Sequence, residues 1–140
     1  MRVLMAVLLA AVAAAGCSQE DESPLPAACR LGPDAVVSAL GSAPGEVRLE
    51  GDTALSDCLT RGSEQADVLL MGEVLLTAAA RLADERDALR LGYLLGAVQR
   101  GAGGTQGIHD ELVRRLEQEA ALLDDRPAFA RGERAGLESG

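Results

Sequence analysis

The chain has no lysine and no tryptophan, and its 140 residues include one tyrosine (Tyr93), one phenylalanine (Phe129) and one histidine (His109). The shortage of aromatics excludes stacking platforms for bases or sugars. The single histidine, without a C-x-x-C pair, excludes the usual zinc spacings. No metal and no cofactor is expected. Only three cysteines are present, Cys17, Cys29 and Cys58. No apolar run approaches the roughly 20 residues a spanning helix needs. The longest, Val3–Ala15, is 13 residues. Beyond residue 16, twelve arginines stand against 22 acidic side chains, a net charge of −10. Such a polyanion repels nucleic acid, whose binding requires positive side chains on phosphates. It repels anionic lipid headgroups for the same reason.

What is present begins with export. Arg2 precedes the apolar run, and the run ends in Ala14-Ala15-Gly16-Cys17. That length matches the h-region of a signal peptide. Small residues followed by cysteine resemble the lipobox of bacterial lipoproteins, with Ala14 where leucine is usual. The resemblance covers residues 1–17. It implies a diacylglyceryl group on the Cys17 sulfur and cleavage just before it, which gives a protein lipid-anchored to the extracytoplasmic face of the cell membrane. The rival reading is cleavage after Ala13 or Ala15 and release of a soluble protein. An odd cysteine count in an exported chain needs an explanation. Lipidation of Cys17 supplies it, and leaves Cys29 and Cys58 to pair.

The expected organisation is a signal peptide (1–16), a lipidated acidic tether (17–28), a helical domain (29–124) and a disordered tail (125–140). The eleven residues Ser18–Ala28 would reach at most about 35–40 Å. The fold class is mainly α: a small bundle of three main helices with a disulfide-tied N-terminal subdomain of short elements.

Within that subdomain, Pro33 suits the first turn of a short helix to Leu40. Glu46–Ala54 alternates as a short hairpin would, with Gly51-Asp52 at its turn. Ser56 is placed to cap a turn carrying Cys58. Ser63 is the expected cap of the first main helix, Ala66–Ala83. There Glu73, Thr77 and Arg81 form one wet stripe, and apolar residues including Leu69 cover the rest. The second main helix restarts near Asp84–Asp87 and runs to about Arg100. Ala88, Gly92 and Gly96 form a smooth ridge along it, with Tyr93 at its edge. The ridge is either a packing contact within the monomer or a groove for a partner. The third helix spans about Gly107–Leu123, with Ile108, Leu112 and Leu116 inward and a Glu111–Arg115 pair outward. Apolar periodicity stops after Asp124-Asp125-Arg126-Pro127. Phe129 is the one residue of the tail with reason to dock back.

No residue set carries recognisable catalysis. His109 beside Asp110 and Glu111 would serve acid–base or metal chemistry only if they converged. Consecutive helical residues diverge by about 100°, so His109 is expected to be an exposed first-turn residue. The Gly101–Gly107 loop lacks the preceding strand and following lysine of a phosphate cradle.

The segment ALRLGYLLGAVQRGA…GIHDELVRRL, with two cysteines upstream, is similar in pattern to uncharacterised small lipoproteins of high-GC Gram-positive bacteria. That resemblance implies a location and no activity. The expectation is a non-enzymatic, membrane-anchored binding or structural module of the cell envelope, with an envelope protein as possible partner and no nucleic acid. The alternatives are a carrier of a small apolar ligand and a hydrolase or metal enzyme using His109.

Overall fold

A computed structural model describes residues 24–62 and 64–140. Cys17, most of the expected tether and the Ser63 cap lie outside the described residues. Among the described residues there are six α-helices: α1 (Pro33–Ala39), α2 (Asp57–Thr60), α3 (Gln65–Asp84), α4 (Ala88–Ala102), α5 (Asp110–Ala120) and α6 (Arg126–Ser139). Short 3-10 turns occur at Ala27–Arg30, Leu40–Ser42 and Glu50–Asp52. The described chain is mainly helical without a named strand.

Local chemistry accounts for three of the six helix starts. Pro33 occupies the first turn of α1, where its missing N–H costs nothing. The Asp87 side chain caps α4 by accepting from the Arg90 N–H at 3.1 Å. The Asp125 side chain caps α6 by accepting from the Ala128 N–H at 3.0 Å, with Pro127 in the first turn. Ser56 stands at the start of α2 but does not cap it. Its hydroxyl donates instead to the Gly140 carbonyl at 2.6 Å.

The core is aliphatic. Leu40, Leu55, Leu75, Leu82, Leu91, Leu94 and Leu116 are fully buried around α4, whose residues Leu91–Val98 are all buried. Cys29 and Cys58 form the expected disulfide, 5.6 Å between Cα atoms. It joins the Ala27–Arg30 turn to α2. Arg30 adds an ion pair to Asp67 in the first turn of α3 at 2.8 Å.

Besides the Ser56 cap, four sequence expectations are corrected. First, the folded domain begins by Leu25, not at Cys29, because Leu25 and Ala28 are both buried. Second, Glu46–Ala54 is not a hairpin. A lone antiparallel bridge joins Leu49 to Thr53 across Gly51, whose φ is +67°. The alternation is real, since Val47 and Leu49 both point into the core. The partner of this segment is a side chain, however, because the Val47 N–H donates to the Tyr93 hydroxyl at 3.3 Å.

The third correction concerns residues 125–140, which are a helix and not a disordered tail. α6 lies along α4 through interleaved glycines. Gly92 faces Phe129 and Glu133, Gly96 faces Glu133 and Leu137, Gly132 faces Leu89 and Tyr93, and Gly136 faces Tyr93 and Ala97. Residue numbers rise together on both helices, so the two run parallel. A Cβ at any of these four positions would overlap a backbone carbonyl oxygen of the other helix. Contact this close replaces side-chain packing with backbone dispersion and Cα–H···O contacts.

The C-terminal end of α6 is satisfied from elsewhere in the chain. A helix leaves its last four carbonyls without intrahelical partners. Arg100 donates to the carbonyls of Leu137 and Glu138, Arg48 donates to that of Ser139 at 3.0 Å, and Ser56 donates to that of Gly140. Two cations at this end also suit the helix dipole. Tyr93 joins the layers. The Ser139 hydroxyl donates to the Ala135 carbonyl at 2.9 Å, so the Tyr93 hydroxyl, 3.1 Å away, donates to Ser139 while accepting from Val47. One buried phenol thus ties the N-terminal segment, α4 and α6 in a single satisfied chain.

Fourth, the Glu111–Arg115 pair does not form. Glu111 binds Arg114 instead, through two contacts of 2.7 and 2.9 Å.

Candidate functional site

The ridge of Ala88, Gly92, Tyr93 and Gly96 is occupied from within the chain. Ala88 is 4% exposed, Tyr93 is fully buried, and α6 covers both glycines. It is a packing surface within the monomer, the first of the two readings the sequence allows, and the partner-groove alternative falls.

The open face lies between α3 and α5. A groove of about 490 Å³ runs there, with Val68, Gly72, Leu76 and Leu112 along its apolar lining. Thr77, Glu73, Glu111 and Arg115 add polar groups. Gly72 widens it, since a Cβ there would meet nothing within 4 Å. Two large apolar residues in the groove lining face water: Leu69 is 66% exposed and Ile108 is 58% exposed.

Both reverse the sequence expectation, and each has a physical cause. The apolar pattern of α3 puts Leu69 on its covered surface. Yet Leu69 lies one step of four before Glu73, Thr77 and Arg81, so it falls on the wet stripe itself. That register is readable in the sequence. Ile108 is expected on the inward face of a helix beginning at Gly107. The helix begins at Asp110, and Gln106 and Gly107 before it have φ of +52° and +88°. These left-handed residues turn the chain so that Ile108 swings outward and His109 inward. His109 is buried at 4% exposure, not the exposed first-turn residue expected.

Burial holds the His109 pKa below its usual value, opposed by a hydrogen bond to the Leu59 backbone. The sign of the linkage follows. Below about pH 6.5 the unfolded chain takes up a proton that the native imidazole resists. Stability therefore falls as pH drops from about 6.5 toward the lower native pKa, and this contribution levels off beneath it. Urea midpoints measured between pH 7.5 and 5.5 are expected to fall more steeply for wild type than for His109→Gln. Equal slopes would show that the imidazole is not desolvated.

Glu111 is held below the usual carboxylate range by the Arg114 hydrogen bond, so it stays ionised at the groove edge. Among the described residues, no group of three or more His, Cys, Asp or Glu is placed to hold a metal ion. No helix among them is long and apolar enough to cross a membrane.

No protein-family model, no curated protein and no solved structure matches this chain. The groove, with Leu69 and Ile108 beside it, is therefore argued on its chemistry alone. Exposed apolar side chains gathered at one place mark contact with a protein, a ligand or a membrane.

Proposed function

We propose that the protein is an envelope lipoprotein, cleaved before Cys17 and acylated on its sulfur. It is held on the extracytoplasmic face of the membrane as a non-enzymatic binding or structural module whose contact face is the α3–α5 groove. The observation that carries this reading is the Cys29–Cys58 bridge. It uses two of the three cysteines and leaves Cys17, directly after the small residues of the lipobox-like segment, as the odd one. Disulfides persist in oxidising compartments, which accords with export. Two acyl chains anchor stably where one is marginal.

The non-enzymatic part of the reading draws on the burial of His109, the sole histidine, beneath Leu59. A hydrolase using it would need an accessible imidazole. The groove volume favours a second reading, a carrier of a small apolar ligand, since about 490 Å³ lies within the range of ligand pockets. Carriers enclose most of their cargo, whereas Leu69 and Ile108 stand open to water beside this groove. Native mass spectrometry that detects a co-purified amphiphile would favour the carrier.

Labelling with a palmitate analogue in a bacterial host tests the anchor. The wild-type protein should take up label and sediment with membranes, and Cys17→Ser should do neither. A Cys17→Ser protein that still labels would overturn the reading.

A further inference from the structure

We propose that the partner of this exposed face is the bilayer, and that the end of the bundle bearing Leu69 and Ile108 rests on the lipid surface beside its own anchor. This inference rests on the anchored reading above and adds an orientation to it.

The argument begins with where the chain enters the fold. Leu25 abuts Gly62, since a Cβ built on Gly62 would lie 2.9 Å from the Leu25 Cβ. Arg30 pairs with Asp67, and Cys29 is bonded to Cys58. The N-terminal segment therefore enters beside α2 and the first turn of α3. The start of α5 is at the same end, because the groove brings Ile108 beside Val68 and Leu69 near the start of α3. Among the described residues, two large apolar side chains that face water, Leu69 and Ile108, thus stand together at the end where the tether arrives. Leu122, the most exposed at 73%, is at the other end. It follows α5, near Asp124, whose carboxylate lies 3.7 Å from Arg86 in the α3–α4 turn.

The tether is short. Seven residue steps separate Cys17 from Pro24, which allows at most about 25 Å when fully extended. Leu25 and Ala28 are buried, so the fold has taken up part of the longer spacer the sequence suggests. A lipid at Cys17 keeps this end of the bundle within that distance of the headgroups. Contact then becomes intramolecular, at the high effective concentration a short linker imposes. Two aliphatic side chains that would bind a membrane poorly alone reach it under that condition. The net charge of −10 beyond residue 16 disfavours anionic headgroups, so the expected surface is zwitterionic.

The absence of tryptophan makes the test direct. Leu69→Trp, Ile108→Trp and Leu122→Trp each give the full-length, acylated protein a single indole at a position already exposed. Each is reconstituted into phosphatidylcholine vesicles with brominated acyl chains, after circular dichroism has checked its helix content. The expected result is several-fold quenching and a blue shift for Leu69→Trp and Ile108→Trp, with neither for Leu122→Trp. Vesicle-bound protein in which the first two are quenched no more than the third would overturn the orientation and leave the anchor standing. Protein that carries no acyl mass and stays off the vesicles would overturn the anchored reading, and this inference with it.

Discussion

Gly136→Ala is expected to destabilise the protein by about 3 kcal/mol or more, although it adds one methyl group. The new Cβ would overlap the Tyr93 carbonyl oxygen and lie 2.8 Å from the Ala97 nitrogen. Both are backbone atoms of α4, so no rotamer change relieves the clash, and the helices must separate. Separation takes Ser139 from Tyr93, Gly140 from Ser56 and the last α6 carbonyls from Arg48 and Arg100. Gly72→Ala is the control. It is also a helix-interior glycine, but open space surrounds it. There the intrinsic preference of alanine should prevail and add up to about 1 kcal/mol. Urea unfolding followed by far-ultraviolet circular dichroism reads both. A Gly136→Ala protein as stable as wild type would mean that α6 does not pack on α4 as described.

Reduction of the Cys29–Cys58 bridge is the second large effect. The two cysteines are 29 residues apart, and the chain-entropy model assigns such a loop roughly 3–4 kcal/mol. For a domain of this size that corresponds to a fall in Tm of about 10–15 °C. The effect is large because marginal domains hold only about 5–15 kcal/mol in total. The bridge also fixes the segment by which the described chain enters the fold. Differential scanning calorimetry with and without reductant measures it, and the Cys29→Ala, Cys58→Ala double variant should match the reduced protein. An unchanged melt would show that the native packing alone holds this segment.

The two effects differ in how they could be foreseen. The bridge follows once the lipobox resemblance sets Cys17 aside and leaves two cysteines. The parallel glycine contact does not follow from counting apolar residues. Periodicity of Leu, Val and Ala finds α3 and α4 because those helices bury side chains. α6 buries Phe129, Gly132 and Gly136, and two of these have no side chain, so hydrophobic periodicity is silent there. Two signals are nevertheless present. Asp125 before Pro127 is a helix start, and Gly132, Gly136 and Gly140 repeat every four residues as Ala88, Gly92 and Gly96 do. The candidate site is harder to read. Leu69 can be placed on the wet stripe by its register with Glu73. The exchange of Ile108 for His109 cannot be foreseen in this way, because it depends on two left-handed residues that decide where α5 begins.

By itself the sequence determined a helical class, a short helix from Pro33, a helix restart near Asp84–Asp87 and, once the lipobox resemblance set Cys17 aside, the Cys29–Cys58 pair. Apart from that resemblance, these follow from local chemistry: caps and apolar period. Only the tertiary structure decided that α6 docks on the glycine ridge, that His109 turns inward, and that Leu69 and Ile108 stand exposed together at one end of the bundle. Those outcomes depend on which surfaces meet across long stretches of chain, and a residue's own neighbours in sequence do not encode what will lie against it.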